Sequence, residues 1–218
     1  MDFQGKTALV TGAGVGIGRA VALKMAEGGA KVILADLQKE ALDKVKEELS
    51  VYGDKVLTLA CDVSDPQRVK DVVSEAERRF GGIDILVKNA GLWRHWGTFQ
   101  ETPDELWEQY LRVNLMGSVY FTRAVLDGMI ARRFGRIINV ASVAGVYGNA
   151  KMVAYSATKG AMISMTKALA KEVSEFGVTV NSVSPGSVND SSDPDITATA
   201  PSPCPSPDGP DPIWKTQI

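Results

Sequence analysis

The segment "VTGAGVGIGRA" at residues 10–20 decides the fold. It follows a short apolar run, "KTALVTG" (6–12), and opens a helical pattern, so its glycines fall at a strand-to-helix turn. Gly12, Gly16 and Gly18 let the backbone turn sharply and approach a pyrophosphate, which then rests on the N–H groups of the helix start. A glycine pattern alone is weak, and a purely structural turn is the competing reading. The next run, "KVILAD" (31–36), adds weight because it ends in Asp36, 18 residues beyond Gly18. A carboxylate there accepts hydrogen bonds from an adenosine ribose and repels a 2′-phosphate. No Arg or Lys lies inside the turn, so NAD is predicted in preference to NADP.

Four further runs continue the series: "KVLTLACDV" (55–63), "IDILVKNA" (83–90), "GRIINVAS" (135–142) and "VTVNSVSPG" (178–186). All are apolar nearly throughout instead of alternating, as strands buried on both faces must be. Helical patterns separate them. In "SDPQRVKDVVSEAERRF", Val69, Val72, Val73, Ala76 and Phe80 recur at helical spacing, with Ser64 or Asp65 as cap and Pro66 in the first turn. Six strand–helix alternations predict an α/β domain with a doubly wound parallel sheet.

With 44% hydrophobic and 23% charged residues, the 218-residue chain can bury a sizeable core. A net charge of −2 without a basic run argues against nucleic acid, and the lack of a long apolar stretch argues against a membrane partner. Cys61 and Cys204 form neither a disulfide framework nor a zinc spacing, and no metal site is expected. A cytoplasmic protein follows from these features. Composition shifts late: seven of ten prolines lie between Pro194 and Pro212, and residues from Ser187 onward carry five aspartates and one lysine. The expected division is a dinucleotide-binding catalytic domain over 1–188 and a Pro/Asp-rich disordered tail over 189–218.

In "AYSATKG" (154–160), Tyr155 and Lys159 stand one helical turn apart and project from one face. A phenol beside an ammonium is either a surface pair or an acid/base whose pKa is lowered toward neutrality. Ser142, at a strand end, can hydrogen-bond and polarise a substrate oxygen.

The spacing G-x-x-x-G-x-G, with "CDV" (61–63), "NAG" (89–91), Asn114, Ser142, Tyr155-x-x-x-Lys159 and "NSVSPG" (181–186), resembles the short-chain dehydrogenase/reductase family over residues 5–188. The resemblance implies a Rossmann-like fold and an oxidoreductase acting on a small-molecule secondary alcohol or ketone, like 3-oxoacyl reductases or hydroxysteroid dehydrogenases. It gives Tyr155 as general acid/base, Lys159 on the nicotinamide ribose, Ser142 on the substrate, and Asn114 holding a water that relays protons to Lys159. It places Ile17 with the glycines at the pyrophosphate, Asp62 and Val63 at adenine, and Asn89, Ala90 and Gly91 along the adenosine. Pro185, Gly186 and Val188 would flank the nicotinamide. A homodimer through helices 104–131 and 153–175 is implied, with Leu106, Tyr110, Val113, Met162, Met165 and Leu169 as apolar stripes. His95 is either an exposed loop residue or part of the substrate mouth; Trp93 and Trp96 either wall a bulky substrate or pack in a core or interface.

Two departures stand against the family pattern. Lys88 occupies the place where an asparagine usually precedes "NAG", and an ammonium there costs desolvation. The proline-rich tail, with Asp190 near the place of a pyrophosphate-binding threonine, replaces an expected lid and seventh strand. A frame shift from about Cys204 would explain it, and a tetramer is not expected without that strand. The alternative to an enzyme is a truncated relative that binds dinucleotide or dimerises without turnover.

Overall fold

A computed structural model of the chain describes residues 2–94 and 96–188. His95 and residues 189–218, Asp190 and Cys204 among them, lie outside the described residues, as do the expectations of a tail, a lost seventh strand and a shifted frame. All six apolar runs are strands: β1 (Thr7–Thr11), β2 (Lys31–Asp36), β3 (Val56–Ala60), β4 (Ile85–Lys88), β5 (Gly135–Val140) and β6 (Val178–Val183). They form one parallel sheet in the order β3-β2-β1-β4-β5-β6. The chain winds outward from β1 to β3, returns to lay β4 beside β1, and winds outward again. A crevice therefore opens at the carboxyl ends of β1 and β4, where doubly wound sheets bind ligands.

Successive strand residues point to opposite faces, and both faces are covered. Leu9, Ile33, Leu86 and Ile137 join one core with Val69, Val72 and Val73 of α3 (Pro66–Phe80) and Phe121, Val125 and Met129 of α5 (Gly117–Ala131). Ala8, Val10, Val32, Leu34 and Val87 join a second core with Ala22, Met25 and Ala26 of α1 (Gly16–Glu27) and Leu42 and Val45 of α2 (Lys39–Glu48). Each fully buried Leu or Ile contributes about 1.5–3 kcal/mol. This double burial is why the strands read as unbroken apolar runs. Of the two caps offered for α3, Asp65 is the one used: its carboxylate accepts from the Gln67 and Arg68 amides at 2.8 and 3.1 Å. Among the described residues no helix is long and apolar enough to cross a membrane.

The helix predicted over 104–131 is not continuous. α4 (Asp104–Tyr110) passes into a π-helical stretch, Leu111–Met116, before α5 begins. As α5 begins, side chains bond carbonyls one turn back: Ser118 Oγ donates to Asn114 O at 3.3 Å and Thr122 Oγ1 to Ser118 O at 2.7 Å. The expected apolar stripes are corrected in part. Tyr110 and Met162 are buried inside this chain, at 2% and 0% exposure, because α4 and α7 (Val153–Val173) pack on each other and on the π stretch.

Candidate active site

The glycine turn is held from two sides. Gly12 and Gly16 have φ of +62° and +54°, the left-handed region that favours glycine. A Cβ on Gly18 would stand 2.0 Å from Gly12 O and 2.5 Å from Asn89 Nδ2, so the helix start lies directly against the turn. Asn89 Nδ2 donates to Gly12 O at 3.0 Å, and Thr11 Oγ1 accepts from the Asn89 and Ala90 amides, both at 3.1 Å. "NAG" is thus latched onto the turn across the β1–β4 switch. No side chain caps the start of α1, whose N-cap Val15 is extended, which leaves amides available to an anion. Ile17 lies in that first turn.

Asp36 closes β2 beside the turn. Its Oδ2 accepts from the Gly14 amide at 2.9 Å and its Oδ1 from the Gln38 amide at 3.0 Å. The following Leu37 is exposed. Cys61 N donates to the Asp36 backbone carbonyl at 2.7 Å, which ties the chain leaving β3 to the end of β2 just before Asp62 and Val63. Asp62 is exposed, with Oδ1 accepting from Ser64; Val63 is buried against Gly117.

At the carboxyl ends of β4 and β5 the second group assembles. Lys159 Nζ donates to Val140 O at 2.7 Å and lies 5.7 Å from the centre of the Tyr155 ring. Gly91 lies beside both groups: a Cβ there would stand 3.4 Å from Lys159 Nζ and 3.5 Å from Asn114 Oδ1, ordinary contact distances. Asn114, fully buried in the π stretch, accepts from Leu92 N at 2.6 Å and donates to Leu92 O at 3.1 Å and Thr158 Oγ1 at 3.3 Å. The amide is satisfied by these neighbours, one of which, Thr158, lies between Tyr155 and Lys159 in sequence. Ser142 follows β5, and its Oγ accepts from Ala144 N at 3.2 Å. Val143 N donates to Pro185 O at 3.0 Å, which ties the Pro185–Gly186 segment to the Ser142 turn; Val188 beyond it is exposed.

The charge states depart from expectation at two places. Burial is the main influence on the Tyr155 phenol and holds its pKa above the ordinary 10, while hydrogen bonding with Ser142 pulls it down and Tyr110 adds to the rise. The predicted lowering is therefore corrected for the chain itself: desolvation of a phenolate outweighs its hydrogen bond with Ser142. Burial also pushes Lys159 down to about 8. Lys88, 2% exposed at the end of β4, donates to Ser118 O at 3.1 Å and to Thr122 Oγ1, and burial pushes it down to about 7. The sequence had signalled the desolvation cost but not these partners.

Three contributors escaped sequence reading. Tyr110 was placed in an interface stripe. Thr158 carried no signal apart from its place between Tyr155 and Lys159. Gly145 is the third: a Cβ there would lie 2.6 Å from Lys159 C, so it allows the Ser142 turn to pack tightly on α7. Trp93 and Trp96 are half exposed, which excludes the core reading for both.

The short chain dehydrogenase family matches residues 6–200. The chain is 40% identical over 186 residues to the 3-oxoacyl-[acyl-carrier-protein] reductase FabG of Thermotoga maritima, covering 85% of this chain and 75% of that protein. It is 38% identical over 189 residues to a (2S)-[(R)-hydroxy(phenyl)methyl]succinyl-CoA dehydrogenase subunit of Thauera aromatica, covering 87% and 75%. Among solved structures, NAD+-bound xylitol dehydrogenase superimposes with a TM-score of 0.83 at 38% identity, over 85% of this chain and 72% of that one. A short-chain dehydrogenase from Streptomyces avermitilis gives 0.80 at 36% identity, over 85% and 67%.

Proposed function

This chain belongs to the short-chain dehydrogenase family of oxidoreductases, and from that premise we propose that it transfers a hydride between NAD(H) and a secondary alcohol or ketone, with Tyr155 as general acid/base. The observation that carries the reading is the meeting of a half-buried phenol, a buried amine and a hydroxyl beside a glycine cradle at the sheet switch point. A bound nicotinamide would supply or accept the hydride.

Tyr155 gives its proton to the oxygen of a ketone as charge develops there, and recovers it in the reverse direction. Ser142 hydrogen-bonds the same oxygen and polarises it. Lys159, at about 8, is mostly protonated at pH 7 and favours the phenolate during turnover. Its anchor on Val140 O also sets where it can meet a nicotinamide ribose. Asn114 fixes Leu92 and Thr158, the segments flanking that amine. Gly12, Gly16, Ile17 and Gly18 would take the pyrophosphate and Asp62 and Val63 the adenine. Asn89, Ala90 and Gly91 would line the adenosine, and Pro185, Gly186 and Val188 the nicotinamide. Asp36, with exposed Leu37 and no cation next to it in sequence, supports NAD over NADP. A homodimer through 104–131 and 153–175 fits the exposed Leu111 and Val153 on those helices.

The test is NADH absorbance with a panel of secondary alcohols and ketones, for the wild type and Tyr155→Phe. Turnover lost in the variant, with NADH binding kept, is the expected result. Activity surviving the substitution would remove Tyr155 from the mechanism. Saturable binding without turnover in the wild type would favour the reading as a dinucleotide binder.

A further inference from the structure

Tyr110 sits at the end of α4, four residues before Asn114, and is 2% exposed. Its hydroxyl accepts from the Arg94 amide at 3.1 Å. Asn114, one turn on, grips both backbone groups of Leu92. Two side chains one turn apart thus hold alternate residues of the segment that leaves β4. Gly97 N donates to Lys151 O at 3.1 Å, and Trp93 and Trp96 are exposed next to Arg94 and Gly97 in sequence. The other side of Tyr110 faces the reactive phenol: its ring meets that of Tyr155 edge to face, with centroids 6.2 Å apart at 66°.

We propose that Tyr110 is a positioning residue, which fixes the backbone at Arg94, beside Trp93, through its hydroxyl and the rotamer of Tyr155 through its ring. The inference rests on the reading of Tyr155 as acid/base. The hydroxyl is selected because a buried Tyr that merely filled volume would be matched by Phe. The Arg94 amide would then lose its acceptor, and an unpaired amide is costly. The ring is selected because an edge-to-face neighbour limits how the Tyr155 ring can turn.

Two variants separate the contacts. Tyr110→Phe keeps the ring and removes the acceptor; Tyr110→Leu removes both. Amide exchange at Arg94 and the Tyr155 titration, read by NMR of ring-labelled tyrosine and assigned with Tyr155→Phe, need neither cofactor nor substrate. In Tyr110→Phe, exchange at Arg94 is expected to rise about fivefold, the population change that one net hydrogen bond allows. The Tyr155 midpoint should also fall, since Tyr110 adds to its rise. With a turnover substrate, Tyr110→Phe should raise KM with little change in kcat, and Tyr110→Leu should lower kcat as well. Wild-type exchange and titration in Tyr110→Phe would overturn the proposal, even if Tyr110→Leu failed to fold. A wild type without turnover would instead count against the acid/base reading, while these two signals still decide the role of Tyr110.

Discussion

Replacing Lys88 by Met should stabilise the protein, and by an amount that shrinks as pH rises. Lys88 Nζ is buried, donates to Ser118 O and Thr122 Oγ1, and is pushed from 10.5 to about 7 by desolvation. At about 1.4 kcal/mol per pH unit, holding that side chain protonated in the fold costs ~5 kcal/mol relative to the unfolded chain. The folded pKa is the lower one, so between pH 7 and 10.5 the unfolded chain binds more protons and stability rises with pH. Below 7 both states hold the proton and the slope vanishes. Methionine has no proton to lose and a similar unbranched shape, and Ser118 O keeps its bond from Thr122 Oγ1. The advantage of Lys88→Met over wild type should therefore fall by about 2 kcal/mol between pH 7 and pH 9. Urea unfolding of both proteins at pH 7, 8 and 9 measures it. Lys159, at about 8, also contributes a slope, but an equal one in the two proteins, so the difference isolates Lys88. Parallel stability–pH curves would refute the reasoning, because they would mean that Lys88 titrates alike in both states.

Gly18→Ala should lose dinucleotide binding in a calorimetric titration and cost about 1–3 kcal/mol in thermal unfolding, since its Cβ would press on Gly12 O at 2.0 Å; near-wild-type affinity would contradict the cradle. Asp36→Ala should weaken NAD about tenfold, the loss of roughly one charge-assisted hydrogen bond, while NADP weakens less or gains; fluorescence titration with both nucleotides gives the ratio, and equal losses would remove Asp36 from discrimination. Asp65→Ala should cost about 1 kcal/mol of stability through its lost cap and leave activity unchanged, because the Asp65 carboxylate bonds the start of α3, while its amide bond to Asp62 O is backbone and survives the substitution.

The sheet was legible because burial on both faces leaves unbroken apolar runs, and all six survive as strands. The site was legible as motifs for the same chemical reason that makes them motifs: Gly12, Gly18 and Asn89 must touch, and few residues can. Tyr110 was misplaced because an aromatic at helical spacing looks the same whether it faces a partner or its own core. For the chain itself the Tyr155 shift runs upward, because spacing reveals the amine one turn away but not how far the phenol is desolvated. Lys88 showed its charge in the sequence and hid its acceptors, which lie 30 and 34 residues further on.

The π-helical stretch Leu111–Met116 carries a consequence for chain length. Length variation is usually accommodated in loops, yet this chain takes up an extra residue midway along a helix. A π turn bonds one residue further along than an α turn. Deleting one residue there would let the rod close as uninterrupted α with its two halves still facing nearly as they do. Phe121, Val125 and Met129 would keep the later half on the core, and Tyr110 would keep Arg94 and Tyr155. The loss would fall inside the stretch, where Asn114 grips Leu92 and Thr158. The stretch acts as a widened turn that presents Asn114 to its neighbours without changing the direction in which the rest of the rod faces.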